Sequence, residues 1–154
     1  MKTLLSTLCV IALAANMAAA DKPDFSGTWK LDVDKSSFGP MPPLTSLTRT
    51  VEQKDPNITV KEASTGPQGE QNLSFKYSTD GKETVNDYMG NELKSKAGWD
   101  GRTLVVHNNI DIGGEKVTST EKWTLSDDGK TFNFLLNIST SQGDFDLSYV
   151  LVKQ

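Results

Sequence analysis

"FSGTWKL", from Phe25 to Leu31, is the stretch on which the fold turns. Phe25, Gly27, Trp29 and Leu31 alternate with the polar Ser26, Thr28 and Lys30, the period-two pattern of a strand with one face buried. A glycine on the apolar face, two residues before a tryptophan, leaves two readings. The run is the first strand of a ligand-holding β-barrel, or a hydrophobic edge that happens to contain a glycine.

Outward from this run the same period continues, cut at short intervals by turn chemistry. "KDPN" at 54–57, "TGPQGE" at 65–70, "TDGK" at 79–82, "MGN" at 89–91, "WDGR" at 99–102, "IGGE" at 112–115, "SDDGK" at 126–130 and "TSQG" at 140–143 each place glycine or proline beside a turn-tolerant polar residue. With the proline-rich segment after the first strand these breaks predict ten strands, at 27–32, 46–53, 57–64, 72–78, 83–89, 92–97, 103–112, 115–125, 131–139 and 144–152. No stretch of the domain carries a capped helical period. Short strands joined by tight turns neighbour their sequence partners, which makes an antiparallel meander. Closing it removes the exposed edges, so the expected fold is all-β, an antiparallel up-and-down barrel of about ten strands.

The segment ahead of the run reads as a leader. Lys2 precedes the apolar "LLSTLCVIALAA", and Ala18, Ala19 and Ala20 offer small residues for cleavage. This is the pattern of a secretory signal peptide over residues 1–20, with a single barrel domain over 21–154 and a periplasmic or secreted destination. Cys9 is the sole cysteine and lies inside the leader, so the domain after cleavage forms no disulfide and no thiolate metal site. The chain has 16 Lys and Arg against 20 Asp and Glu, a net charge of −4, and one of those lysines belongs to the leader. An acidic domain argues against nucleic acid or an anionic membrane as partner, and no apolar run after residue 20 is long enough to insert in a bilayer.

Alternation also sorts the strands into inner and outer faces. The more apolar set places Leu73, Phe75 and Tyr77 inside on the fourth strand, Phe132, Phe134, Leu136 and Ile138 on the ninth, and Phe145, Leu147, Tyr149 and Leu151 on the tenth. The same reading puts Arg49, Gln53, Glu62, Ser95, Asn108, Ser119 and Glu121 on inner faces. A packed core excludes unpaired charge, whereas a ligand cavity has apolar walls and a few polar groups. The alternatives are a solvated cavity, or strands whose polar residues face water or pair for stability alone. Between the first two strands, Pro40, Pro42 and Pro43 stiffen a loop carrying Phe38, Met41 and Leu44, and the barrel mouth is the nearest surface able to cover those three side chains.

Catalytic signatures are lacking, and no enzyme, cofactor or metal site is expected. His107 is the one histidine and falls on the outer face of its strand. There is no nucleophile elbow and no phosphate loop, and "SDDGK" lacks the spaced oxygen ligands of a calcium loop.

"FSGTWKL" resembles the opening strand of the calycin group, the lipocalins and fatty-acid-binding proteins, which reads F-x-G-x-W-[KR]-L; Phe25, Gly27, Trp29, Lys30 and Leu31 match it in place. The whole domain is similar to small secreted lipocalin-like proteins of bacteria. The resemblance implies that Trp29 plugs the closed end of a barrel and that Gly27 admits a neighbouring chain, both structural roles. It also implies two departures. The fatty-acid-binding proteins carry a helical lid where this chain has its proline loop. Their last strand carries R-x-Y for a ligand carboxylate, and here "LSY" keeps Tyr149 but puts Leu147 in the arginine position. Lys153 or Lys122 would have to serve in place of the lipocalin arginine that stacks on the tryptophan.

The functional expectation is an exported carrier for a small, largely apolar molecule, performing no chemistry, with Arg49, Tyr149, Tyr77, Phe75, Phe134 and Glu121 around the ligand. Arg49 either holds an anionic group with help from Tyr149, or is neutralised by Glu62 or Glu121, which leaves a neutral ligand. The alternative function is an interaction or inhibitor protein with a filled barrel that works through its loops.

Overall fold

The computed structural model describes residues 21–154, so the signal-peptide expectation lies outside the described residues. Ten strands follow in order: β1 (Gly27–Leu31), β2 (Ser46–Lys54), β3 (Asn57–Gly66), β4 (Gly69–Ser78), β5 (Glu83–Tyr88), β6 (Asn91–Asp100), β7 (Thr103–Ile112), β8 (Glu115–Leu125), β9 (Thr131–Thr140) and β10 (Gly143–Lys153). Among the described residues the one other element is a single 3₁₀ turn at Val33–Lys35. The eight glycine- or proline-marked breaks are turns, the proline-rich break is a longer loop, and strand limits agree to within a few residues. The main extension is β6, which runs on through Trp99 because Trp99 still pairs with Leu104.

All ladders are antiparallel, in the order β4-β3-β2-β1-β10-β9-β8-β7-β6-β5. The first strand therefore joins the last, with Trp29 opposite Lys153 and Leu31 opposite Leu151. The closure differs from a plain meander at one place. β4 and β5 are consecutive in sequence but stand at the two ends of the hydrogen-bonded order, with a seam between them. The Asn86 side chain on β5 bridges it: the Lys76 amide donates to Asn86 Oδ1 at 2.7 Å, and Asn86 Nδ2 donates to the Lys76 carbonyl at 3.1 Å. A primary amide presents the same donor and acceptor as a backbone peptide, so one buried side chain replaces a ladder rung.

The two ends of the barrel are unequal. At the end holding the β2–β3, β4–β5, β6–β7 and β8–β9 turns, Phe25, Trp29, Ile58, Leu104, Trp123, Phe132 and Leu151 are almost wholly buried. Phe25, from the chain just ahead of β1, packs on Phe132 at 4.9 Å, Trp123 at 5.6 Å and Trp99 at 6.2 Å between ring centroids. Trp29 Nε1 donates to the Phe25 carbonyl at 2.8 Å, which satisfies the indole inside the core. The Lys153 ammonium lies 5.2 Å from the Trp29 ring centroid. At Gly27 (φ 136°) a Cβ would come within 3.1 Å of Lys153 Cε, so glycine there admits both the backbone angle and the lysine stem.

At the opposite end, the inner residues Ser64, Leu73, Tyr88, Val117, Ile138 and Phe145 are only partly buried. The proline loop crosses this mouth. Ser37 pairs with Ser148 on β10, Phe38 packs on Tyr149 at 5.5 Å, and Leu44 packs against the core. Met41 departs from expectation: it is 48% exposed, just past a turn that its amide closes by donating to the Phe38 carbonyl at 3.0 Å.

Candidate functional site

Between the packed end and the mouth lies a belt of buried polar groups. Arg49 on β2 and Glu62 on β3 are cross-strand partners, and Arg49 Nη2 donates to Glu62 Oε1 at 2.9 Å. The arginine side chain is 5% exposed and the glutamate 13%, so the glutamate is the member that water reaches. Three aromatic rings surround the guanidinium, with Phe134 at 4.1 Å, Trp123 at 5.5 Å and Phe132 at 5.6 Å from Cζ. Aromatic faces offer a cation an attractive quadrupole without claiming its N–H groups. Arg49 Nε and Nη1 are buried with no hydrogen-bond partner.

Across the barrel, β6, β7 and β8 supply a connected network. Ser95 Oγ donates to Asn108 Oδ1 at 2.6 Å, and Asn108 Nδ2 donates to Glu121 Oε1 at 2.8 Å and to Ser119 Oγ at 3.3 Å. Trp123 Nε1 donates to Glu121 Oε2 at 2.9 Å. Burial raises the Glu121 carboxyl above the usual carboxylate range, against the opposing pull of Arg49 and of its two donors. Burial also pushes the Tyr77 phenol well up, and Glu121 adds to it. Tyr88 and Tyr149 are raised by burial first and by Glu62 second. These three phenols stay protonated across the physiological range.

The residues singled out in the sequence fall as follows. Phe75 and Tyr77 stack on each other on β4 with ring centroids 6.2 Å apart, and Tyr77 meets Trp123 edge-on at 5.8 Å. Phe134 and Tyr149 stack across β9 and β10 at 5.8 Å. Arg49, Glu121, Tyr77, Phe75, Phe134 and Tyr149 thus share one interior, with Tyr149 on its mouth side. Gln53 is different. Its Oε1 accepts from the Phe25 amide at 3.0 Å and its Nε2 donates to the Pro23 carbonyl at 3.1 Å, so it ties down the N-terminal segment at the closed end and leaves the belt. Tyr88, half-buried on the inner face of β5, belongs with the mouth residues; alternation of Thr84, Asn86 and Tyr88 in "ETVNDY" is the signal that marks it.

Open depressions elsewhere carry no comparable chemistry. One of about 690 Å³ at the rim is lined by Gly113, Gly114, Glu115 and Lys116 with Ser139, Thr140 and Ser141. Thr118, which also lines it, is exposed. His107 is exposed, with Nδ1 3.1 Å from the Thr120 hydroxyl.

No protein-family model and no curated protein sequence matches the chain. Solved structures do. The zebrafish ileal bile acid-binding protein, complexed with cholic acid, superposes with a TM-score of 0.57 at 16% identity, covering 84% of this chain and 98% of that one. A SAHS protein from Ramazzottius varieornatus gives 0.59 at 11% identity over 84% of this chain and 95% of its own. Human cRBP IV gives 0.52 at 16% identity, covering 86% and 99%. The ladder order, the tryptophan-plugged end and these superpositions give one conclusion: the chain folds as a calycin-type, nearly closed ten-stranded antiparallel β-barrel.

Proposed function

We propose that this protein is an exported carrier that holds a small, largely apolar molecule in the mouth half of its barrel and performs no chemistry on it. The observation that carries the reading is the gradient along the interior. At the Trp29 end Phe25, Trp29, Trp123 and Phe132 are almost wholly buried, whereas toward the mouth Leu73, Val117, Leu136, Ile138 and Phe145 form an apolar wall that is only partly buried, beside the buried Leu93, Ile110 and Leu147. Beneath that wall lies a polar floor with two unpartnered guanidinium nitrogens, Nε and Nη1 of Arg49. Apolar walls over a few fixed polar groups are the usual composition of a small-molecule site. Phe134, stacked on Tyr149, and Phe75 with Tyr77 form the aromatic sides, while Arg49 and Glu121 form the floor. One neighbour of the same fold, the zebrafish ileal bile acid-binding protein, is complexed with cholic acid, a small amphiphile, which supports a ligand inside this barrel too. The leader-like sequence of residues 1–20, a lysine followed by an apolar run and three alanines, supports export.

The test is titration of the purified protein with Nile red, an uncharged dye that brightens in apolar surroundings. A saturable one-to-one rise, displaced by lipophiles and lost in Leu136→Arg, supports the carrier reading. No binding by dye or lipophile moves the assignment to an interaction protein acting through its loops.

A further inference from the structure

The charge balance of the carrier site is set before a ligand arrives. Arg49 is a buried cation of the belt, and Glu62 already accepts from its Nη2 at 2.9 Å. Glu121 adds a second carboxyl to the same interior, 8% exposed and held by Asn108 and Trp123. The lysines of the adjoining strands, Lys61, Lys76, Lys94, Lys96 and Lys122, are exposed on the outer face. An incoming carboxylate would therefore meet two carboxyl groups against one cation. Like charges brought together away from water are strongly unfavourable.

The hydrogen-bonding inventory has the opposite character. Nε and Nη1 of Arg49 are buried donors without an acceptor, and a buried N–H left in that state is costly. The Tyr77, Tyr88 and Tyr149 phenols, held protonated by burial and by the carboxylates beside them, offer further O–H groups. What the interior lacks is an acceptor, and what it does not tolerate is more negative charge. Arg49 Nε and Nη1 are closed to water here, so an oxygen that meets them moves neighbouring side chains aside.

We propose that the barrel selects an uncharged amphiphile whose polar end is an acceptor oxygen, a carbonyl or ester, over a fatty-acid anion of the same length. The cause is the Arg49–Glu62 ion pair, which spends the guanidinium's charge while leaving two of its nitrogens free to donate. The inference rests on the carrier reading and names the ligand class of that site.

Displacement of Nile red by methyl palmitate and by palmitate, in wild type and in Glu62→Gln, tests it. In wild type methyl palmitate displaces the dye at a concentration lower by at least about tenfold, and Glu62→Gln, which frees the arginine charge, narrows or inverts that ratio by a similar factor. Glu121→Gln reads the same ratio should Glu62→Gln not fold. Palmitate binding as tightly as its ester in wild type, or a ratio unmoved in both variants, overturns the selection while leaving the carrier reading standing. Failure of the dye and both lipids to bind removes the carrier reading, and this inference with it.

Discussion

The guanidinium carbon of Arg49 lies 4.1 Å from the centroid of the Phe134 ring. A cation anchored on β2 thereby reaches an aromatic wall on β9, past β1 and β10 in the sheet order. That reach makes Arg49 the centre of the belt, joined to Glu62 by charge and to three rings by proximity. It also makes the residue costly to remove alone.

Arg49→Ala leaves Glu62 without its partner and opens a void beside Phe134. The expected loss is about 3–5 kcal/mol in urea unfolding, as for a broken buried ion pair. Arg49→Met combined with Glu62→Gln removes both charges and keeps the volume, and it should recover most of that loss. A double variant as unstable as the single one would show that packing, and not the stranded carboxylate, dominates.

Trp29→Ala truncates a residue with no exposed surface and removes the indole bond to the Phe25 carbonyl. It should cost about 3–5 kcal/mol. A loss below about 1 kcal/mol in denaturant titration would contradict a plugged closed end.

Asn86 is the bridge across the β4–β5 seam. Asn86→Ala strands the Lys76 amide and carbonyl and should cost about 1–3 kcal/mol. Amide hydrogen exchange locates the effect: the Lys76 amide should lose protection while the amides of the β7–β8 ladder keep theirs. Equal loss everywhere would mean that the seam has no separate identity.

Glu121 sets a pH dependence with a defined sign. Burial raises its carboxyl in the folded protein above its unfolded value, so the folded state holds the proton more tightly. Stability from this group is therefore full below the unfolded carboxylate range and declines as pH rises toward the folded value. Urea unfolding of wild type and Glu121→Gln from acid to neutral pH should show wild type losing ground to the variant across that window. Parallel curves would mean that Glu121 binds its proton equally well in the folded and unfolded chain.

The strands were legible because the two signals that define them are local. Alternation in "GTWKL" or "TLVVHNNIDI" needs no knowledge of a partner, and Gly-containing turns mark the ends. Arg49, Glu121, Tyr77 and Phe134 could be placed inside on the same grounds. Gln53 could not be separated from them, because its partners, the Phe25 amide and Pro23 carbonyl, lie nearly thirty residues back in the chain. The seam was equally hidden: an inward asparagine reads the same whether it meets a cavity or a backbone, and only the relation of β4 to β5 decides. Which carboxylate meets Arg49 was also open in the sequence, since Glu62 and Glu121 both face inward, and the register of β2 on β3 settles it for Glu62.

The most direct test of the account is native mass spectrometry of the protein purified from its own host without detergent, before and after incubation with methyl palmitate. The carrier account predicts one bound molecule per chain, a mass increment of a few hundred daltons that disappears in Leu136→Arg. The bare chain mass in both samples would contradict it.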